Sequence, residues 1–594
     1  MRITRRQLLQ AGAVAGAGLL ASPGSPAAAA RGPASRQQDL FTEQLPTLDE
    51  LGVLDMQKGG STALWVRNAC HRFHAQMGLT DTLAYQEAGS SRTYLGPVII
   101  ARKGTPFELT VHNGAERHPL AFAIDKELVP AGTDDARRPR ASVHLHGGNT
   151  SPQSDGGPDQ AFGPGNSYTY HYGNNQDASG LWYHDHALGL TRLSVYAGLA
   201  GGYLLRDTPG RGGSGMDTGD GTHLPPPPYE VPLIIQDRMF NPDGSFAYPP
   251  NPDLKGPDGG PRPWAPEFFG DVATVNGKCW PNLDVVRGKY RFRVFNGSNA
   301  RFYDLKFDAG GSALAFHQIG SDGGLLNAPV RLNRLVIGPG ERADLVVDFA
   351  GLRAGTRVVL RNSARVPYPN GPESIARGGL PLPQIMQFSV QSRTGYTVPL
   401  PARLREDDIT SLRETGPAAT RQMALVEVAN ADDVPVMALL NNRMFDSPDI
   451  TVVKSDTLEQ WELINTTEDA HPIHLHFTQF QVLNRQKFDA DSYLEATGYV
   501  DPATGLVTPG RENHAEIADF LIGRPKEAPD TEQGWKDTVV ALPGEVTRIR
   551  VPFGAGAAGG APLAIGSSFK GEYVWHCHIL EHEDNDMMQR YMIT

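Results

Sequence analysis

The sequence predicts an all-β protein of three related Greek-key sandwich or barrel domains. Three observations carry that prediction. Apolar and polar residues alternate with period two in short runs closed by turn residues, and no long amphipathic helical pattern competes with them. The chain holds 66 glycines and 47 prolines in 594 residues, a proportion that suits loop-rich β structure better than helices. Two landmarks also recur three times in the same order, the mark of internal repeats. At roughly 100 to 200 residues per domain, the length excludes a single small module.

The first landmark is an alternating strand that ends in a polar turn. It reads Phe107-Glu108-Leu109-Thr110-Val111-His112-Asn113-Gly114, then Tyr290-Arg291-Phe292-Arg293-Val294-Phe295-Asn296-Gly297, and more loosely residues 458–466. The second is a Pro-Gly turn that leads into another alternating strand, from Pro164-Gly165 to Tyr170, from Pro339-Gly340 to Phe349 and from Pro543-Gly544 to Phe553. These landmarks place domains at residues 40–207, 229–391 and 420–594, joined by connections at 208–228 and 392–420. Ahead of them, Thr4-Arg5-Arg6-Gln7-Leu8-Leu9 precedes a weakly apolar stretch from Ala11 to Ala21 and the small residues Ala27 to Ala30. Residues 1–30 therefore resemble a twin-arginine signal, which implies the twin-arginine export machinery as partner and a secreted, periplasmic or cell-envelope location. The apolar stretch is about 11 residues, short of the roughly 20 that cross a bilayer, so no membrane span is expected.

Charge narrows the partners. With 54 basic and 66 acidic residues the net charge is −12, and no block of basic residues offers a surface to nucleic acid or an anionic membrane. Three cysteines are too few for a disulfide scaffold. Cys70 and Cys279 are leftover thiols, either bridged after export or simply free.

The histidines come in pairs. Among 18 histidines, chance predicts roughly 0.5 His-x-His pairs, yet there are four: His144/His146, His184/His186, His474/His476 and His576/His578. Residues two apart on a strand point to one face, so each pair offers two imidazoles to one place, and neutral imidazole suits copper, zinc and iron. His71, His74, His112, His118, His171, His223, His317 and His514 lie outside this pattern and read as ordinary surface or core residues. The last pair brackets a cysteine, His576-Cys577-His578, and on a strand Cys577 points away from both neighbours. One tripeptide can then serve two sites, which is wiring for electrons. His471 lies three residues before His474 and so faces the other way, while His582 and Met587 follow Cys577 by five and ten. His471, Cys577, His582 and a weak axial Met587 form the two-histidine, cysteine and methionine set of a blue-copper site, with Met588 the less well spaced alternative to Met587. Structural zinc has no use for a thioether or a redox wire.

Eight paired histidines remain, the complement of a cluster of three coppers. The segments His144-Leu145-His146-Gly147, Trp182-Tyr183-His184-Asp185-His186, His471-Pro472-Ile473-His474-Leu475-His476 and His576-Cys577-His578-Ile579-Leu580-Glu581-His582 resemble the multicopper oxidase family over residues 40–594. The stretch from Gly189 to Tyr203, Asn276-Gly277-Lys278 and Gly534-Trp535-Lys536-Asp537-Thr538 are most similar to the branch of spore-coat laccases, bilirubin oxidase and phenoxazinone synthase. The resemblance implies cupredoxin-like domains and four copper ions: one type 1, one type 2 and two type 3. It assigns His144 and His474 to type 2, and His146, His184, His186, His476, His576 and His578 to type 3. It also implies proton delivery by Asp155 and Glu583. The middle repeat has no His-x-His and reads as a copper-free spacer, so the three-copper cluster is expected between the first and third domains.

The activity implied is one-electron oxidation of a small phenolic or aminophenolic reductant at type 1 copper, coupled to four-electron reduction of O2 to water. The 12 methionines form no Met-rich insert, which weighs against a cuprous or other metal-ion oxidase. A copper-free scaffold would have lost ligands, and here all twelve positions are filled. Copper binding without turnover is the remaining alternative. Asp185, between two ligands, is a candidate to orient them although strand alternation turns it away from the coppers, and residues 484–532 are either a rim for the organic substrate or a plain surface excursion.

Overall fold

The computed structural model describes residues 38–594, apart from 209, 211, 212, 257 and 560–562. The export signal expected at residues 1–30 lies outside the described residues. Strands dominate. The longest described helix, Ala490–Thr497, has 8 residues, and no described helix is long and apolar enough to cross a membrane.

The sequence landmarks occupy one position in three sheets. Phe107–Asn113 lies between Gly60–His71 and Ser167–Tyr172, Lys289–Asn296 between Glu230–Arg238 and Arg342–Asp348, and Leu458–Asn465 between Ala419–Ala429 and Glu545–Pro552. In each case the first neighbour runs parallel and the second antiparallel. The sheets are therefore mixed, with parallel as well as antiparallel neighbours. Period-2 burial is the same in both pairings, because it reports the pleat and not the direction of the neighbour. A Greek-key path brings a later strand back beside an earlier one in the same direction, and only the tertiary course of the chain records that.

The asparagine closing each landmark strand repeats as well. Asn113, Asn296 and Asn465 each donate through Nδ2 to two backbone carbonyls, Pro139 and Phe162, Arg301 and Ile337, and Asp469 and Ala541 respectively. Each accepts through Oδ1 from the backbone N–H two residues on. One amide thus ties the exit of the strand to two loops in every unit. The Pro-Gly turns use Gly165, Gly340 and Gly544 at φ 88°, 81° and 68°, a region that costs glycine little.

The histidines lie on the second sheet of the outer units. In the first unit its order is Val53–Asp55, Val98–Arg102, Ala200–Arg206, Gly180–Asp185, Val143–His146; in the third it is Thr451–Val453, Met588–Ile593, Gly571–Cys577, His471–Leu475, Thr538–Ala541. One apolar core runs through the first and middle units, including Leu64, Tyr203, Phe292 and Phe388, while the third unit packs around Trp461, Trp575 and Ile549. At roughly 1.5 to 3 kcal/mol for each fully buried large side chain, these cores make rigid frames for whatever the sheet edges present. The connections are also held: Asp217 of the first is fully buried against arginines, and Leu404 and Leu412 of the second are buried.

Candidate metal centre

Strand pairing brings the histidines together. His144 sits opposite His184 on antiparallel strands of the first unit, and His474 sits opposite His576 in the third. The two arrays then interleave. The His144 ring stacks on His476 with centroids 3.7 Å apart, and the His146 ring stacks on His474 at 3.6 Å. All eight rings are buried. Their nitrogens fall into groups that one ion could bridge, each within 4.8 Å: His146, His184 and His578; His186, His476 and His576; and His144, His474 and His476. The Nε2 atoms of His144 and His474 face each other at 3.4 Å.

Hydrogen bonds decide which nitrogen each ring offers. His144 Nδ1 donates to the Asp155 carbonyl at 2.7 Å and His474 Nδ1 to the Asp537 carbonyl at 2.8 Å. His184 and His576 place Nδ1 on the carbonyls of Asp185 and Cys577. His476 Nδ1 lies 2.7 Å from Asp155 Oδ2. Each of these rings leaves Nε2 for the cluster. His146 is reversed: its Nε2 is held by Asp537 Oδ1 and Thr538 Oγ1, both at 3.0 Å, and its Nδ1 is left over. His146 Nδ1, His184 Nε2 and both nitrogens of His578 are buried without a hydrogen-bond partner. Unbonded buried nitrogens are rare and costly, and here one from each of His146, His184 and His578 converges on a single group, the arrangement that a metal ion satisfies.

Electrostatics keep the rings neutral. Burial, reinforced by neighbouring imidazoles, lowers His144, His146, His184, His476 and His578 well below the ordinary histidine value, and His186 and His576 fall to about 4 and about 3. A neutral ring keeps the lone pair that a metal needs. Burial pushes Asp155 up to about 8 and raises Glu583, whose Oε2 lies 3.1 Å from His576 Nδ1 and whose Oε1 lies 3.5 Å from His186 Nε2. Asp185 accepts from the backbone N–H groups of Ser142 and Ala187, so it braces the strand ends and faces away from the rings.

A second pocket lies behind Cys577. Its Sγ is 3.5 Å from His471 Nδ1 and 3.8 Å from His582 Nδ1, and the Ile579 N–H points at the sulfur. Thr467 Oγ1 holds His471 Nε2 at 2.7 Å. Met587 is drawn in by two backbone bonds, Cys577 N–H to its carbonyl and its own N–H to the His582 carbonyl, and it packs in the same core as Cys577. Met588 packs instead with Phe445 and Val574. Burial raises the Cys577 thiol well above its ordinary value, so a thiolate here requires a cation beside it.

These groupings and the similarity of the whole chain point the same way. Multicopper oxidase family models match residues 135–210 and 415–594, the two segments that carry the histidine pairs. The chain is 36% identical to a laccase of Bacillus subtilis over 93% of its own length and 98% of that protein, and 34% identical to the multicopper oxidase LPR1 of Arabidopsis thaliana over 93% and 92%. The solved McoA multicopper oxidase of Aquifex aeolicus superposes with a TM-score of 0.69 at 25% identity, covering 94% of this chain and all of that one. The chain belongs to the multicopper oxidase family. It is a laccase-like, copper-dependent oxidoreductase with O2 as acceptor, and its domains are cupredoxin-like.

The middle unit holds none of the described metal-ligand groupings, yet it is more than a spacer. Its Tyr368 carbonyl accepts from Ala470 N–H, next to His471, and its Trp264 Nε1–H donates to the Glu581 carbonyl, next to His582. Phe269, Ala300 and Val366 join the core that holds Cys577. The segment 484–532, a candidate rim, folds its helix Ala490–Thr497 onto Phe488 and Val546 of its own sheet and onto Ile517 of the short 3-10 turn Ile517–Phe520. Its strand Gln481–Phe488 lies in the sheet opposite the one that carries His471 and Cys577. Cys70 and Cys279 are free thiols, one exposed and one buried. The sequence reading also passed over Asp537, Thr538 and Thr467 as site residues, although Asp537-Thr538 stood within a recognised motif.

Proposed function

We propose that this oxidase takes single electrons from a small phenolic or aminophenolic reductant and carries four coppers, one at Cys577 and three among the paired histidines. One observation carries the reading: the tripeptide His576-Cys577-His578 puts its sulfur in one pocket and both rings in the other. His471, Cys577, His582 and Met587 would hold the type 1 ion, His144 and His474 the type 2 ion, and His146, His184 and His578 with His186, His476 and His576 the type 3 pair. Bound copper supplies one-electron redox chemistry in the sulfur pocket and reduction of O2 in the histidine cluster.

The chain supplies the rest. Its buried walls exclude water from both pockets, and the Nδ1 hydrogen bonds orient the rings before any ion arrives. Asp155, against His476, and Glu583, against His576 and His186, stand where protons are needed, and burial favours their protonated forms. A cavity of about 330 Å³ lined by Ser363, Ala364, Val366 and Glu373 adjoins the middle-unit wall of the sulfur pocket and suits a one-ring reductant. Residues 1–30 act as a twin-arginine export address in this reading, and replacing Arg5 and Arg6 by lysine should retain the protein inside the cell.

Copper-loaded protein should show intense blue absorption and consume oxygen with 2-aminophenol and a dimethoxyphenol. Bilirubin and cuprous ion are the comparison substrates. Colourless protein with full copper loading sinks the type 1 assignment, and oxygen uptake with cuprous ion alone sinks the phenolic one. Cys577→Ser should remove both colour and turnover.

A further inference from the structure

The reversed ring, His146, has an unusual support. Its Nε2 partner Asp537 is gripped by Arg342 of the middle unit, with Nη1 2.6 Å from Oδ1 and Nη2 bonded to Oδ2. Burial works against ionisation of Asp537, and Arg342 outweighs it, holding the carboxyl well below its ordinary range. Arg342 is itself positioned: its backbone N–H donates to Asp322 Oδ1, and its Nε and Nη2 donate to the carbonyls of Gly180 and Asp322. Lys536 bonds Asp322 and Glu341 at 2.9 and 3.0 Å, closing the network between the middle and third units. All of these side chains are buried.

Two glycines show how closely this assembly is fitted. A Cβ on Gly147, the residue after His146, would fall 2.5 Å from Asp537 Oδ2 and 2.6 Å from Arg342 Nη2. A Cβ on Gly340, two residues before Arg342, would fall 2.6 Å from the His578 ring. Both glycines also have positive φ, at 83° and 81°. The Pro-Gly turn of the middle repeat thus lies directly on the histidine cluster.

We propose that Arg342 is a positioning residue for the copper cluster, acting through Asp537 to keep Nε2 of His146 occupied and Nδ1 turned inward, so that the copper-free middle unit helps to build the site. His144, His184, His474 and His576 fix their orientation with carbonyls of the outer units, and His476 with the Asp155 carboxylate of the first. His146 alone depends on a side-chain carboxylate aimed from the third unit by an arginine of the middle one. Loss of Arg342 frees Asp537 to rotate and lets His146 present the wrong nitrogen.

This inference rests on the copper-cluster reading above, and its test compares variants with the parent rather than asking whether the parent is blue. Arg342→Met, Arg342→Lys and a control, Arg206→Met, are loaded with copper, and total copper per chain is measured beside absorbance from the Cys577 site. Arg206 is an equally buried arginine whose partners are Asp217 and Glu230, away from the histidines. Copper affinity at the cluster should fall roughly 10- to 100-fold in Arg342→Met, with blue absorbance per folded chain retained. Arg342→Lys, which keeps the charge but not the two-pronged grip, should recover part of the loss. Arg206→Met should keep the full ratio of copper to colour. Full copper content in Arg342→Met overturns the proposal, and so does a proportional fall of copper and colour in both Arg342 variants, which marks a merely structural arginine.

Discussion

Two buried polar clusters in this molecule are built on opposite plans. At the edge of the middle unit, Arg206, Arg291 and Arg293 meet Asp217, Glu230 and Asp344. Asp217 accepts from all three arginines, and Arg291 places Nε and both Nη atoms on carboxylate oxygens. None of these side chains has a buried polar atom without a partner. Between the outer units, the histidines are just as buried but leave His146 Nδ1, His184 Nε2, His186 Nδ1 and both nitrogens of His578 unbonded. The first cluster is closed and charged, and it serves the fold by pinning the inter-unit connection through Asp217. The second is open and neutral, and one nitrogen each of His146, His184 and His578 lies within 4.8 Å of the others. Buried groups that satisfy each other are structure, and buried groups that converge unsatisfied are a binding site.

Metal removal should separate the two plans most strongly. An ion held at 1,000 times its dissociation constant stabilises the fold by about 4 kcal/mol, so chelation should lower the thermal midpoint markedly in the parent. It should do so by much less in His184→Ala/His578→Ala protein, measured by calorimetry with and without chelator. Asp217→Asn should cost about 3 to 5 kcal/mol in denaturant unfolding, because it leaves buried arginines uncompensated, and the loss should be the same with or without copper. An equal dependence on copper in both clusters would break the contrast.

Acid should act on both clusters, on the neutral histidines as pH falls below about 6.5 and on the closed cluster only at lower pH. Burial works to raise Glu230, and Arg206, Arg293 and Arg291 outweigh it, holding it at about 2 against an ordinary 4.5. A carboxyl lowered by folding contributes stability above its unfolded value and loses it as pH falls towards its folded value. Copper-free protein should therefore lose stability between about pH 4.5 and about pH 2, and Glu230→Gln should flatten that part of the profile in unfolding experiments. The smallest effect belongs to Met587→Leu. A volume-conserving exchange in the core should cost under about 1.5 kcal/mol, and the blue colour should persist with a changed reduction potential.

The legible parts of the site share a property: their residues are close in sequence. His144 and His146, or His576, Cys577 and His578, declare a common face through two-residue spacing on a strand, and His582 and Met587 follow within a single turn and hairpin. The three repeats were legible for the same reason, since alternation and a Pro-Gly turn are local. Arg342 and Asp537 are 195 residues apart and carry no spacing rule, so neither read as a site residue.

By itself, then, the chain's local pattern carried the β class and the threefold repeat and singled out the paired histidines and the tripeptide His576-Cys577-His578, because strand periodicity converts spacing into facing. Only the folded molecule decided which histidines lie close enough to share an ion, which ring nitrogens are left without a hydrogen bond and which unit walls the sulfur pocket. Those outcomes depend on how sheets from distant parts of the chain are docked and on which backbone carbonyl or carboxylate meets each ring, and no local periodicity encodes either.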